Sequence, residues 1–324
     1  MSHSAINLRA LDSLTRDPEK AEAYRHDPYM REALATFAPV LDTQALHRHT
    51  FVVLKPDAVA GRRCELILDI LHTLGWHPAA ATTVRFDPLL VREVWRYQFN
   101  AASAQRIALV DPLLSSGPAL LVLLEDRDGS RELPASVRLT AAKGAAEPSA
   151  ARSEDLRTLI GRVNGLLNFM HTADEPVDVA RELQLFSYQT GWAWCAGPLF
   201  GTAPADPAAG RETVTALLRA AEAEIPAHDL NVTASLRRLA GLDGAWGACA
   251  RDLADSTHIE AWLSELRRSP LPDADARWDL LTVLTSWIHC NEEGVLPIIA
   301  TTKADAWLPP TATTRDAPKE AVAI

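Results

Sequence analysis

Four groups of residues carry the side chains with which this sequence could do chemistry. Lys55-Pro56-Asp57 follows the apolar run Thr50-Phe51-Val52-Val53-Leu54, and Ser116-Gly117-Pro118 precedes the run Ala119 to Leu124. Arg157 comes after a Gly/Pro-containing stretch, and Asn168-Phe169-Met170-His171 is followed by Asp174 and Glu182. A neutral imidazole is a good nucleophile near pH 7 when a partner on its other ring nitrogen fixes the tautomer. Lysine and arginine supply the preorganised cations that a transferring phosphoryl group requires. Each residue also has an ordinary reading. A lone histidine beside apolar residues is more often structural, and Lys55 would then be a solvated strand end. Arg157 would belong to a surface cluster with Arg152 and Arg162, and Glu182 to the polar face of an amphipathic helix. It is the joint order of these groups along the chain that favours chemistry.

The elements that must position them can be read from periodicity. Residues 1 to about 48 read as a helical N-terminal extension, with Pro18-Glu19-Lys20 opening one segment and Met30, Leu34, Phe37 and Leu41 spaced for an apolar stripe. Thr50 to Leu54 suits a buried strand, and Leu66, Ile67, Ile70, Leu71 and Leu74 recur at helical spacing up to Gly75. A second strand is expected over Ala79 to Phe86, a helix from Pro88 through Tyr97, a helical stretch to Leu114, and a central strand over Ala119 to Leu124. Arg127 to Asp155 reads as short helix and long surface loop, where catalytic loops tend to lie. Leu156 to Ile160 forms a short element, and Val177 to Phe186 a helix with Asp174 as N-cap and Pro176 in its first turn. The alternation predicts an α+β sandwich with helices over an antiparallel sheet. After residue 188 the pattern becomes all-α, with helical periodicity over Arg211 to Glu224, Val232 to Leu239, Ala245 to Asp255, Ile259 to Arg267 and Trp278 to His289. Gly201 to Gly210 reads as a linker, and 303 to 324 as a disordered tail.

Composition sets the outer bounds. A chain of 324 residues with 48% hydrophobic content can build a substantial core and is long enough for two domains. Its net charge of −10 gives no global footprint for nucleic acid or an anionic membrane, so any phosphate ligand must be held by locally clustered cations. The opening residues contain Asp and Glu and no long apolar run, and later apolar runs are strand-sized; a cytoplasmic location without membrane association is the expectation. Cys64, Cys195, Cys249 and Cys290 show no CxxC spacing and read as free thiols. His258, His289 and Cys290 lack a regular metal-ligand spacing, so no metal site is expected there. Trp192, Trp194, Trp246, Trp262, Trp278 and Trp287 read chiefly as core packing in the C-terminal region.

Taken together, TFVVLKPDAV, SSGPALLVLLE and NFMHTADEPVDVARELQLF resemble, in order and nearly in spacing, the opening strand, central strand and active-site segment of the nucleoside diphosphate kinase family. The resemblance covers residues 49 to 188, leaving 189 to 302 as a helical C-terminal region. It implies a ferredoxin-like βαββαβ core that passes the γ-phosphate of a nucleoside triphosphate to a nucleoside diphosphate through a phosphohistidine. Carried over by position, His171 is the nucleophile, Glu182 its orienting carboxylate, and Lys55 and Arg157 the phosphate cations, Arg157 with a one-residue insertion before His171. Asn168 matches a position that contacts the sugar hydroxyl. Arg138 is the candidate second phosphate arginine if the loop carries two extra residues, with Arg131 its rival. The family tyrosine near the histidine falls on Trp95 by gap-free counting, or on Tyr97 with a two-residue shift. Mg²⁺ is expected on the nucleotide phosphates rather than in a protein cage. A homo-oligomer is also implied, with extensions that could block the family's assembly faces.

The chain departs from the family pattern at several of these places. Ala58 replaces a glycine after Lys-Pro-Asp, Ala146 a threonine that touches phosphate, and Ala173 a serine that bonds the orienting glutamate. Losing a positioned donor commonly costs roughly one to three orders of magnitude in rate. In the lid over Gln98 to Val110, either Phe99 or Ile107 would stand in for the usual aromatic. Three functions are therefore open: a nucleoside diphosphate kinase, a diverged enzyme of specialised metabolism with another acceptor, and a non-catalytic nucleotide-binding or interaction module.

Overall fold

The computed structural model describes residues 10–41, 44–127, 132–145, 150–201 and 206–308. Four strands, β1 (His49–Leu54), β2 (Trp76–Val84), β3 (Ala119–Asp126) and β4 (Met170–Thr172), form one sheet. The order is β2-β3-β1-β4 with every neighbour antiparallel, which is the split βαβ arrangement of a ferredoxin-like core. β2 begins at Trp76 rather than at the expected Ala79. Gly75, at φ +90°, ends the preceding helix Cys64–Thr73 and lets the chain enter the strand at once. Pro78 is tolerated because β2 is an edge strand and its pairing with β3 shifts register between Pro78 and Ala80.

The two faces of β1 explain how the rest of the chain is recruited. Val52 and Leu54 join a core with Leu120 and Val122, Ile67 and Leu71 of the helix Cys64–Thr73, and Val214, Leu218, Trp262 and Trp278 of the C-terminal region. Phe51 and Val53 face the other way and join Leu121 and Leu123, Leu34 and Phe37 of the helix Pro28–Phe37, and Leu183 and Phe186 of the helix Pro176–Thr190. Both extensions therefore complete the cores on which the sheet depends. The helix Pro207–Glu224 comes close to β2 at Gly210, where a Cβ would stand only 2.1 Å from the Pro78 carbonyl oxygen.

The N-terminal arm is also tied by charge. Arg181 Nε donates to Asp27 Oδ2 at 2.9 Å, and its guanidinium lies over the rings of Tyr24, Tyr29 and Tyr97. Lys20 Nζ lies 2.8 Å from Asp178 and 2.9 Å from Glu175. Burial alone would lower the Lys20 pKa, yet Asp178 and Glu175 hold it above its usual value.

Beyond residue 190, helices Val232–Ala240, Gly244–Asp252, Ile259–Arg268 and Ala274–Trp287 follow the expected segments closely. Trp246, Trp262 and Trp278 are buried, with Trp246 stacked on Trp262 and Trp287 edge-on to it. Trp192 packs edge-on to Phe37 of the arm. The cysteines are free thiols, Cys64 and Cys195 buried. The linker reading of Gly201 to Gly210 falls partly outside the described residues, and Pro207 to Gly210 already form a helical turn. The tail reading holds for none of 303–308. Ala304–Trp307 is a short 3₁₀ turn whose Trp307 Nε1 donates to Glu175 Oε1 at 2.8 Å, and 309–324 lie outside the described residues. Among the described residues no helix is long and apolar enough to cross a membrane.

Candidate active site

His171 sits on the edge strand β4, opposite Val53 of β1. Two residues earlier, Phe169 adopts φ +72°, a left-handed conformation that is strained for a bulky side chain. Three contacts hold it there. Its N–H donates to Asp57 Oδ2 at 2.9 Å, its carbonyl accepts from the Lys55 N–H at 3.0 Å, and its ring is fully buried. Lys55-Pro56-Asp57 thus fixes the bend that delivers His171 to the site.

His171 Nε2 donates to Glu182 Oε2 across 2.6 Å. That bond places the lone pair on Nδ1, which has no hydrogen-bond partner among the described residues. Glu182 is carried by the helix Pro176–Thr190, whose N-cap is Glu175 rather than the expected Asp174. Asp178 closes the capping box by accepting the Glu175 N–H at 3.0 Å. Asp174 turns instead toward Thr140, which donates to it at 3.2 Å, and toward Lys143 at 3.6 Å. Ala173, where the family pattern has serine, is fully buried.

Trp95 rather than Tyr97 meets the histidine. Its ring is edge-on to His171 at 4.9 Å between centroids and stacked on Phe86. Tyr97 donates to Asp27 at 3.0 Å and packs on Tyr24, so it belongs to the contact with the N-terminal arm. Of the two lid alternatives, Phe99 lines the cavity beside His171, whereas Ile107 is exposed.

Lys55, Trp95, Arg157, Asn168 and His171 line one cavity of about 110 Å³. Lys55 Nζ donates to the Leu166 carbonyl at 2.7 Å and lies 3.5 Å from Asp57; burial lowers its pKa against the pull of Asp57. Asn168 Nδ2 donates to the Gly165 carbonyl at 2.7 Å. Arg157 donates to the Gly144 carbonyl at 2.9 Å, and burial, reinforced by Arg162, lowers its pKa to about 10. Its Nε is buried with no hydrogen-bond partner, as is Nε of Arg106 in the same lining. Two orphaned cationic donors at one cavity suit an anion.

Arg138 is not brought into the site. Its Nε donates to Asp126 at 2.9 Å, its Nη1 to the Leu74 carbonyl at 3.0 Å, and its guanidinium lies 3.7 Å above the Trp76 ring. A bidentate carboxylate and an indole face hold it on the β2–β3 side, far from use as a phosphate ligand. Arg131 and Ala146 lie outside the described residues. Sequence reasoning missed Arg106, Lys143 and Lys303. Lys143 is buried, donates to Thr172 Oγ1 at 2.7 Å, and has its pKa driven down to about 8 by burial, against the pull of Asp174. With Glu182, Arg152, Arg157 and His171, both Lys143 and Lys303 line a second cavity of about 720 Å³.

Among the described residues no three His, Cys, Asp or Glu side chains gather as a metal site. His258 pairs with Asp255, away from Cys290, whose carbonyl accepts the Ser103 N–H.

Residues 48–190 match the family model described as nucleoside diphosphate kinase. No curated protein matches the chain. Among solved structures it is similar to the nucleoside diphosphate kinase of Aquifex aeolicus at 23% identity, covering 43% of this chain and 93% of that one, with a TM-score of 0.36. The enzyme of Encephalitozoon cuniculi gives 19% identity, 51% and 99% coverage and a TM-score of 0.38. An NDP kinase from Pyrobaculum aerophilum gives 19%, 43% and 94%, and 0.33. Residues 48–190 are a nucleoside-diphosphate-kinase-like domain, set between an N-terminal arm and a C-terminal helical region that lie outside the family match.

Proposed function

We propose that this domain is a phosphotransferase that moves the γ-phosphoryl group of a nucleoside triphosphate to an acceptor diphosphate through His171. The observation that carries the reading is the 2.6 Å contact between His171 Nε2 and Glu182, which leaves Nδ1 as the nucleophilic nitrogen in a cavity shared with Lys55 and Arg157. In the first step the Nδ1 lone pair forms the N–P bond while the bond from phosphorus to the bridging oxygen breaks. The bonding pair leaves with the nucleoside diphosphate. The Nε2 proton stays in the bond to Glu182, whose charge offsets that developing on the ring. In the second step a terminal phosphate oxygen of the acceptor attacks phosphorus and the N–P pair returns to Nδ1. Lys55 and Arg157 stabilise the transferring group and the bridging phosphate.

Mg²⁺ would arrive on the nucleotide phosphates and supply charge neutralisation there. The site suits that mode, since its carboxylates are engaged by His171, Lys143, Lys20 and Tyr24, while Nε of Arg106 and of Arg157 are left for phosphate oxygens. A second reading, a diverged acceptor, is favoured by Tyr24 and Thr301 to Ala304, which lie outside the family match and yet line the larger cavity.

The test is incubation with γ-labelled ATP and Mg²⁺ beside His171→Ala, followed by a chase with GDP. Acid-labile label on the wild type alone, discharged by GDP, supports transfer between nucleotides. Label that GDP does not discharge supports the second reading. Binding of ATP with no label would make the domain a nucleotide-binding module.

A further inference from the structure

Two cavities meet at His171, sharing Trp95, Arg106 and Arg157 in their walls, and they differ in what they can admit. The smaller, at about 110 Å³, holds Lys55 and Asn168. Ligand pockets for small molecules usually run from about 300 to 1,000 Å³, so a whole nucleoside does not fit there. The C-terminal region packs against two of its wall residues, Gly165 through Cys290 and Arg106 through Asn291. Asn164 Nδ2 donates to Thr285 Oγ1 at 3.1 Å and to Ser286 Oγ at 3.0 Å, on the last turn of the helix Ala274–Trp287. The chain that follows is bonded to the lid. The Ser103 N–H donates to the Cys290 carbonyl at 3.1 Å, Arg106 Nη1 to Asn291 Oδ1 at 3.1 Å, and the Glu292 N–H to the Ala101 carbonyl at 2.9 Å. Residues 285–292 therefore bridge Ala101–Arg106 to Asn164 beside this cavity.

The larger cavity, about 720 Å³, is within the range for a ligand. Its cations are Arg106, Lys143, Arg152, Arg157 and Lys303. Arg152 is held by Asp155 and Lys143 is shared with Thr172 and Asp174, but Lys303 forms no ion pair among the described residues. Its carboxylates are already engaged: Asp178 by Lys20 and Tyr24, Glu182 by His171, and Asp174 by Thr140. What remains for a ligand is a set of cations around the nucleophile.

Resting on the reading of His171 as phosphoryl carrier, we propose that the substrate enters through this second cavity and is recognised by its polyphosphate group alone, with Lys303 of the C-terminal segment as one of its ligands. Inorganic tripolyphosphate then serves as donor: Nδ1 takes its terminal phosphoryl group, and diphosphate leaves with the electron pair of the broken bond.

The test compares tripolyphosphate with ATP on the full chain, by calorimetric binding and separately by labelling. The expectation is that the two dissociation constants agree within about fivefold, and that Lys303→Glu, at an exposed position, weakens both by about tenfold or more, because a charge-assisted hydrogen bond to phosphate is replaced by a repulsion. Tripolyphosphate bound about a hundredfold more weakly than ATP, or binding of both unchanged in Lys303→Glu, would overturn the proposal. Equal binding without label on His171 would uphold the polyphosphate site and sink the phosphohistidine reading instead.

Discussion

The carboxylate of Asp57 accepts the backbone N–H of Phe169 at 2.9 Å, joining the end of β1 to the one left-handed residue in the segment that presents His171. Positive φ at phenylalanine costs energy, and the strain is offset by this bond, by the Lys55 N–H on the Phe169 carbonyl, and by full burial of the ring. Asp57→Ala leaves a buried N–H without an acceptor and deprives Lys55 of its carboxylate. The expected loss is about 1–3 kcal/mol of stability in urea unfolding, with Asp57→Asn losing less because it keeps an acceptor oxygen. Equal stability of the alanine variant and the wild type would remove Asp57 from this role.

Glu182→Gln keeps a hydrogen-bond acceptor beside His171 Nε2 but removes the charge that offsets the developing imidazolium. Its rate of phosphoryl uptake is expected to fall about 10–100-fold in single-turnover labelling. An unchanged rate would mean that the 2.6 Å contact is structural only.

Arg138→Ala separates the phosphate arginines from the structural one. It breaks the pairing with Asp126 and the stacking on Trp76, so unfolding should become easier by about 1–3 kcal/mol while labelling of His171 changes by no more than about threefold. A loss of labelling with stability retained would return Arg138 to the site.

Lys143 makes the site sensitive to alkali. Burial, against the pull of Asp174, sets its pKa at about 8, and a bound polyanion favours the charged amine, so its pKa rises on binding. Affinity for tripolyphosphate is therefore flat below about pH 8 and falls above it by up to about tenfold per unit, where an ordinary lysine would hold to about pH 10. Calorimetry across that range should show the decline in the wild type and not in Lys143→Met until Arg157, at about 10, begins to lose its charge. Parallel pH profiles for the two proteins would contradict this role for Lys143.

Much of this architecture is legible in the residues themselves. The short, β-branched apolar run of β1 and the continuous apolar run of β3 suit buried strands, and the order of Lys55, Asn168, His171 and Glu182 along the chain can be read without coordinates. The cations are harder to read. Arg138 and Lys143 lie in the same helix, Ala135–Lys143, and which of them faces the histidine is decided by Asp126 and Trp76 on one side and Thr172 on the other. Lys143 does lie within the stretch from Arg127 to Asp155 where a catalytic loop is expected, immediately before Gly144, and that is its only signal. Lys303 has none. Its polar, proline-containing surroundings suggest disorder, and it is distant contacts, of Thr301 with Asp174 and of Thr302 and Trp307 with Glu175, that bring it to the cavity. Asp174 resembles an N-cap by position, but the long-range pull of Thr140 and Lys143 leaves that role to Glu175.

The central claim is that the phosphoryl group is carried on Nδ1 of His171 because Glu182 occupies Nε2. The most direct measurement is phosphorus–proton correlation NMR of the labelled protein, which distinguishes the two phosphohistidine isomers. A single Nδ1-phosphohistidine, absent from His171→Ala, is the predicted result. Phosphate on Nε2, or on a residue other than His171, would contradict the account.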